Sequence, residues 1–218
     1  PILCEGGLKF PDPGYLKEVR RLCDEKGVSL ILDEVQTGLR TLKLSATEHP
    51  DYVRGDIYVF AKAVSGGILP VSFVFARTSI MGKMGPGSEG STFAANHLAC
   101  AVVSKVFKNL PQTFNKLRYI ERLLTPQLND LVTRHDEIKE VRILGGLIGL
   151  EFHNSAMAKK IQHELLTIDL GFIDEDVKLL GVHTKVTSDG LTHRISPNTA
   201  WNEKEVDLLI EAYDKALE

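Results

Sequence analysis

The amino-acid sequence predicts an α/β fold, in which a layered sheet is followed by a smaller α+β domain. Two observations lead to this prediction. Residues 28–33, 56–61 and 71–76 are short apolar runs that alternate with other elements, as in sheets that are covered on both faces. The pattern then changes to short strands around a glycine pair, followed by helices. We therefore place one domain at residues 1–135 and a second at residues 136–218.

Apolar periodicity and capping residues predict the individual elements. The first helix covers residues 13–27, with Pro13 at its start and Gly27 as its stop signal. Asn202-Glu-Lys-Glu205 is a capping box that starts the last helix. The remaining elements are expected in this order: a glycine-rich loop at 82–90, helices at 96–110 and on to about 135, strands within 138–152, a helix at 155–170 and a strand at 192–196.

The composition is that of an ordinary globular protein. Of 218 residues, 43% are hydrophobic and 25% are charged, and the net charge of −3 gives no reason to expect a nucleic-acid partner. No apolar run approaches the roughly 18–20 residues that span a bilayer, and no targeting signal is recognised. Three cysteines without a CxxC motif favour a reducing intracellular compartment, cytoplasmic or mitochondrial. The seven histidines lack metal-ligand spacing, so we predict no bound metal.

An aspartate and a lysine follow two of the apolar runs. Asp33 ends the first run, and Lys62 follows the second and precedes a glycine pair. Functional groups of such sheets gather at the carboxyl ends of strands, so both are expected on one rim. Lys62 lies between the apolar segments Val59-Phe-Ala61 and Ala63-Val64, so we expect its amine to be desolvated. A desolvated lysine amine is nucleophilic and can form a Schiff base with an aldehyde. A carboxylate can keep a pyridinium nitrogen protonated. Pyridoxal phosphate chemistry needs such a pair.

The sequence alone leaves other interpretations of these residues open. Most lysines are solvated surface charges, and Asp33 with Glu34 could cap a helix or bind magnesium. Gly90-Ser-Thr-Phe93 could be a capping turn, or could bind phosphate through hydroxyl and backbone N–H groups. Arg194 is either structural or a bidentate clamp on a substrate carboxylate, and Glu5 is either a turn acid or the partner of that arginine.

Taken together, these segments resemble the class III (subgroup II), fold-type-I pyridoxal-phosphate aminotransferases, and among them the ornithine aminotransferases most. The resemblance runs through nearly the whole chain and corresponds to the C-terminal half of such a protein. It implies part of the large domain followed by a small α+β domain. The matching segments are Pro1-Ile with Glu5-Gly-Gly7, Pro13-Gly-Tyr-Leu16 with Val19-Arg-Arg-Leu-Cys23, Asp33-Glu-Val-Gln-Thr-Gly-Leu39, Lys62-Ala-Val-Ser-Gly-Gly67, Pro70-Val-Ser72, Gly90-Ser-Thr-Phe93 with Asn96, and Arg194-Ile-Ser-Pro197.

The resemblance also implies a set of cofactor-binding residues. Lys62 would be the Schiff-base lysine, and it would move the proton between the two carbon centres. The other implied contacts are Asp33 with the pyridinium nitrogen, Val35 with the ring, Gln36 with the phenolic oxygen, and Ser91 and Thr92 with the phosphate of the neighbouring subunit's cofactor. This last contact implies a homodimer with shared active sites.

The same resemblance implies the substrates. Arg194 would bind the α-carboxylate of glutamate or 2-oxoglutarate, and Glu5 would pair with Arg194 while an ω-amino donor is bound. The implied activity is amino transfer from an ω-amino donor, ornithine, to 2-oxoglutarate. The alternatives are an acetylornithine- or 4-aminobutyrate-type aminotransferase, another class III enzyme, or a catalytically inactive fragment. The family's N-terminal half is expected in the same or another chain, so this chain alone should bind the cofactor poorly.

Overall fold

The computed structural model describes residues 1–48, 51–174 and 177–218. Within them the elements follow in the order α1 (Tyr15–Lys26), β1 (Ile31–Asp33), β2 (Ile57–Phe60), β3 (Phe73–Ala76), α2 (Thr78–Met81), α3 (His97–Lys108), α4 (Leu110–Arg134), β4 (Ile138–Leu144), β5 (Leu147–Phe152), α5 (Ser155–Thr167), β6 (Asp169–Asp174), β7 (Val177–Leu180), β8 (Lys185–Val186), β9 (Thr192–Ile195) and α6 (Glu203–Leu217). None of the helices in these ranges has the length and apolar content needed to cross a bilayer.

The contacts divide the chain into two compact units. The first contains residues 1–2 and 10–112, and the second contains residues 3–9 and 113–218. The second unit thus begins earlier than the predicted boundary at 135–136. Most of α4 belongs to it because the buried face of this helix packs into the second unit's core. The assignment of domains within a complete protein remains a prediction.

The first unit is built on a three-stranded sheet in the order β1-β2-β3. Strands β1 and β2 are parallel, and β3 is antiparallel to β2. The sheet is less covered than predicted, because Ile31 and Phe75 are 59% and 53% exposed in this chain. Side chains alternate between the faces of a strand, so Leu32 is buried while its neighbour Ile31 is not.

The second unit contains a four-stranded antiparallel sheet in the order β4-β5-β9-β8. All six residues of β5 are buried, and α4, α5 and α6 contribute apolar side chains to the same core. The predicted capping box of α6 is present, with the Asn202 and Glu205 side chains each bonded to the other's backbone. Helix α5 ends at Thr167 rather than at 170, because Ile168 is extended and Asp169 starts the hairpin of β6 and β7.

Candidate functional site

Asp33 and Lys62 lie at one edge of the first unit's sheet. Asp33 is the last residue of β1 and is in register with Val59 of the parallel strand β2. Lys62 begins the short 3₁₀ turn Lys62–Ser65 that follows β2. Because parallel strands end at the same edge of a sheet, the structure places both residues at one rim.

The backbone of Lys62 has an unusual conformation. Its φ of 50° lies in the left-handed region that favours glycine, directly after the extended Ala61. A non-glycine residue in this region costs about 1–3 kcal/mol and persists where the surrounding structure enforces it, often at functional sites. The turn is closed by a hydrogen bond from the Ser65 hydroxyl to the Lys62 carbonyl oxygen at 3.2 Å. Lys62 shares a positive φ with five other non-glycine residues of the described ranges.

The expectation that apolar neighbours desolvate the Lys62 amine is wrong for this chain. The turn directs Val64 into the core, where it is fully buried, whereas Lys62 is exposed. The turn separates the two side chains, so sequence neighbours do not cover the amine. Lys62 instead lines an open cleft of about 1230 Å³ within the first unit.

Ser91 lines the same cleft as Lys62. Its hydroxyl accepts a hydrogen bond from the backbone N–H of Phe93 at 3.3 Å, so it also stabilises its own turn. Thr92 is an exposed residue of that turn, and Asn96, not Ser91 or Thr92, caps the helix α3. The segment is thus a turn that does not cap α3, and its Ser91 lines the same cleft as Lys62.

The two acids at the end of β1, Asp33 and Glu34, have different environments. The Asp33 carboxylate accepts a hydrogen bond from the Val35 N–H at 2.9 Å and is exposed. Glu34 is fully buried and accepts from the backbone N–H of Ala46 at 3.0 Å and from the hydroxyls of Thr37 and Ser45. Glu34 therefore fixes the loop after β1, which carries Val35 and the partly exposed Gln36. Sequence reasoning had considered only helix capping or magnesium binding for these acids, and so it missed this role of Glu34.

Glu5 and Arg194 form an ion pair within the second unit. Arg194 in β9 contacts Glu5 Oε1 through its Nη1, and Lys185 Nζ in β8 contacts Glu5 Oε2 at 2.7 Å. The backbone of Glu5 is also anchored, because its carbonyl oxygen accepts from the Ser188 N–H at 2.8 Å. The structure thus brings together two predicted residues that are 189 positions apart in sequence.

An arginine that sequence reasoning missed holds the segment that carries Glu5. Arg142 donates to the carbonyl oxygens of Gly7 at 2.6 Å and Leu8 at 3.1 Å, and pairs with Glu151 at 2.6 Å. Burial alone would raise the pKa of Glu151, but hydrogen bonds from Lys139 and Arg142 hold it below its ordinary value. The available signal was the presence of three charged residues, Lys139, Glu140 and Arg142, within the seven residues of β4.

A buried histidine next to Arg194 was also missed. His193 Nε2 lies 2.7 Å from the carbonyl oxygen of Ala158, which can only accept, so this nitrogen donates. The other ring nitrogen then accepts from the Tyr213 hydroxyl at 3.0 Å. Burial lowers the pKa of His193 to about 4, so the ring is neutral near pH 7. His193 therefore fixes β9 against α5 and α6.

Comparisons with known proteins identify relatives of this chain. The family model described as aminotransferase class-III matches residues 1–217. An ornithine aminotransferase from Oceanobacillus iheyensis is 37% identical over 100% of this chain and 51% of its own length. The solved ornithine aminotransferase from Toxoplasma gondii has a TM-score of 0.82 at 32% identity, covering 100% of this chain and 49% of that one. The acetylornithine aminotransferase from Elizabethkingia anophelis has a TM-score of 0.79 at 30% identity, and the match covers 100% of this chain and 52% of that one.

The chain spans about half the length of the curated relatives it matches. Its matched structures are fold-type-I aminotransferases, which confirms the predicted fold class and the resemblance to a C-terminal half. With a family model that matches nearly every residue, the chain belongs to the class-III aminotransferases.

Proposed function

We propose that the complete protein transfers the amino group of an ω-amino donor, ornithine, to 2-oxoglutarate, with pyridoxal 5′-phosphate as its cofactor. Membership of the family supports amino transfer. The observation that favours the proposed substrates is the ion pair between Glu5 and Arg194. An arginine that binds a carboxylate of one substrate is left unpaired by a substrate without that group, and a movable internal acid removes this cost.

The residues at the edge of the first sheet fit pyridoxal phosphate. Lys62 offers a primary amine and Asp33 offers a carboxylate, at the ends of adjacent parallel strands. When bound, the cofactor supplies a ring that withdraws electrons from the carbon bearing the amino group. Asp33 would hold the proton on the ring nitrogen, and Lys62 Nζ would remove and return the proton at the substrate carbon.

The remaining candidates keep their predicted roles in this proposal. Val35 would contact the ring, and Gln36 would approach its phenolic oxygen. Ser91 and Thr92 would bind the phosphate in a homodimer with shared sites, for which their exposed hydroxyls are suited.

Covalent trapping tests the role of Lys62. In the complete protein, we expect borohydride reduction in the presence of pyridoxal phosphate to attach a phosphopyridoxyl group to the peptide that contains Lys62, as detected by mass spectrometry. The Lys62→Ala variant should lose this label, whereas Lys83→Ala, another exposed lysine of the first unit, should keep it. A label elsewhere, with Lys62 unmodified, would disprove the assignment.

The similarity to an acetylornithine aminotransferase favours a second candidate donor. Single-turnover measurements with ornithine, N-acetylornithine and 4-aminobutyrate separate the two candidates. We expect ornithine to have the highest kcat/KM. A higher value for N-acetylornithine would replace the proposed donor and leave the reaction class unchanged.

A further inference from the structure

The carboxylate of Glu5 is shared by two cations on adjacent strands. Its Oε1 contacts Arg194, and its Oε2 contacts Lys185 Nζ at 2.7 Å. The side chains of Glu5, Arg194 and Lys185 are 34%, 19% and 51% exposed, so the cluster is open to solvent on the lysine side. Each cation uses a different oxygen, so one contact can open while the other is kept.

The backbone explains why the two cations share one acid. Lys185 and Arg194 are register partners in the antiparallel pair β8–β9, which places their side chains on the same face of the sheet. Like charges directly opposite each other destabilise a sheet, and an acid between them reduces the repulsion. The backbone of Glu5 is fixed by the Ser188 N–H, so adjustment is confined to its side chain.

We propose that Lys185 is a positioning residue that retains Glu5 when Arg194 binds the carboxylate of a dicarboxylate substrate. This inference rests on the proposed function, because it concerns the substrate exchange that function requires. The planar guanidinium of Arg194 suits bidentate binding of a substrate carboxylate, whereas the ammonium of Lys185 is a point charge that can hold a single oxygen. The side chain of Glu5 then pivots about Lys185, away from Arg194.

Without Lys185, an acid displaced from Arg194 would remain close to the incoming carboxylate. The two anions would repel, and release of Arg194 would become less favourable. While the ω-amino donor is bound, Glu5 stays paired with Arg194, so donor binding does not require this movement. Loss of Lys185 should therefore weaken dicarboxylate binding specifically, although a half-exposed ion pair contributes little to stability.

The variant Lys185→Gln tests the inference in the complete holoenzyme. We expect the KM for 2-oxoglutarate to rise about tenfold, with kcat and the KM for ornithine changed less than about twofold. Lys185→Arg should restore the KM because it keeps the charge. The control is Lys215→Gln, which removes a lysine of similar exposure (46%) that pairs with Glu211 on α6.

Calorimetric binding of glutarate, an unreactive dicarboxylate, gives a readout that needs no turnover. Lys185→Gln should lower the affinity for glutarate about tenfold in the wild-type background. In a Glu5→Gln background the same substitution should lower it less than about twofold. An equal effect in both backgrounds would mean that Lys185 attracts the ligand directly, which would overturn the inference. An unchanged affinity in Lys185→Gln, or no glutarate binding by the wild type, would also overturn it. If no amino transfer is detected but glutarate affinity depends on Lys185 only when Glu5 is present, the proposed function is wrong and the role of Lys185 stands.

Discussion

The carboxylate of Asp189 lies directly against Gly7, so closely that a Cβ atom on Gly7 would be 2.1 Å from Asp189 Oδ2. Gly7 also has a φ of 98°, a conformation that L side chains rarely adopt. Asp189 is fixed in turn by hydrogen bonds from Thr187 and from the backbone of Leu191. Gly7 is therefore required for this segment to reach the sheet that carries Arg194.

Replacement of Gly7 should disturb the Glu5 segment. We expect Gly7→Ala to lower the free energy of unfolding by about 2–3 kcal/mol, because it adds a clash and a strained φ. The control is Gly6→Ala, whose nearest contact to an added Cβ is an ordinary 3.5 Å. Urea denaturation measures the free energy of unfolding of both variants. A Gly7→Ala protein as stable as Gly6→Ala would show that the segment can shift without cost.

The buried His193 should make stability depend on pH. Its folded-state pKa is about 4, below the ordinary value of 6.5, so the unfolded state binds the proton first as the pH falls. The contribution of the neutral His193 ring to the free energy of unfolding is fully present above about pH 6.5. It is lost as the pH falls toward 4, and the total loss is about 3 kcal/mol. The His193→Gln variant should lose less stability between pH 7 and pH 4.5 than His163→Gln, which removes an exposed histidine. Equal pH dependence in these two variants would contradict this assignment.

Replacement of the buried acid Glu34 should destabilise the loop after β1. The Glu34→Gln variant substitutes an N–H₂ group for one acceptor oxygen, although both oxygens accept hydrogen bonds. We expect a loss of about 1–3 kcal/mol in unfolding free energy, measured by urea denaturation. The control Glu25→Gln removes an exposed partner of Arg21 and should change the unfolding free energy by less than about 0.5 kcal/mol. A loss no larger than that of Glu25→Gln would remove the structural role given to Glu34.

Replacement of Arg194 should separate the two half-reactions. In the complete protein, Arg194→Gln is expected to reduce kcat/KM for 2-oxoglutarate about 100-fold, because a charge-assisted carboxylate contact is lost. The loss for ornithine should be at least tenfold smaller if this donor does not use Arg194. Arg194→Lys should recover only part of the activity, because lysine cannot form the bidentate contact. Equal losses in both half-reactions would argue that Arg194 is structural.

Local patterns predicted the elements well, because a helix or strand is encoded in neighbouring residues. Gly27 ends α1, and the glycine pair after Leu144 separates β4 from β5, as expected. The errors arose where local pattern and tertiary contact compete. Apolar neighbours suggested a covered Lys62, yet a turn with positive φ directs its side chain away from theirs. The β6–β7 hairpin was missed because its pairing, not an apolar run, defines it.

The sequence by itself determined the fold class, the order of the elements and the amine and acid at the strand ends, because strand polarity brings such residues to one rim. Only the tertiary structure decided which charges meet. Arg142 contacts Gly7 across 135 positions, and Lys185 meets Glu5 across 180. No periodicity of the chain encodes such pairings. They depend on the register of the sheet and on the buried Gly7, which together place distant side chains in contact.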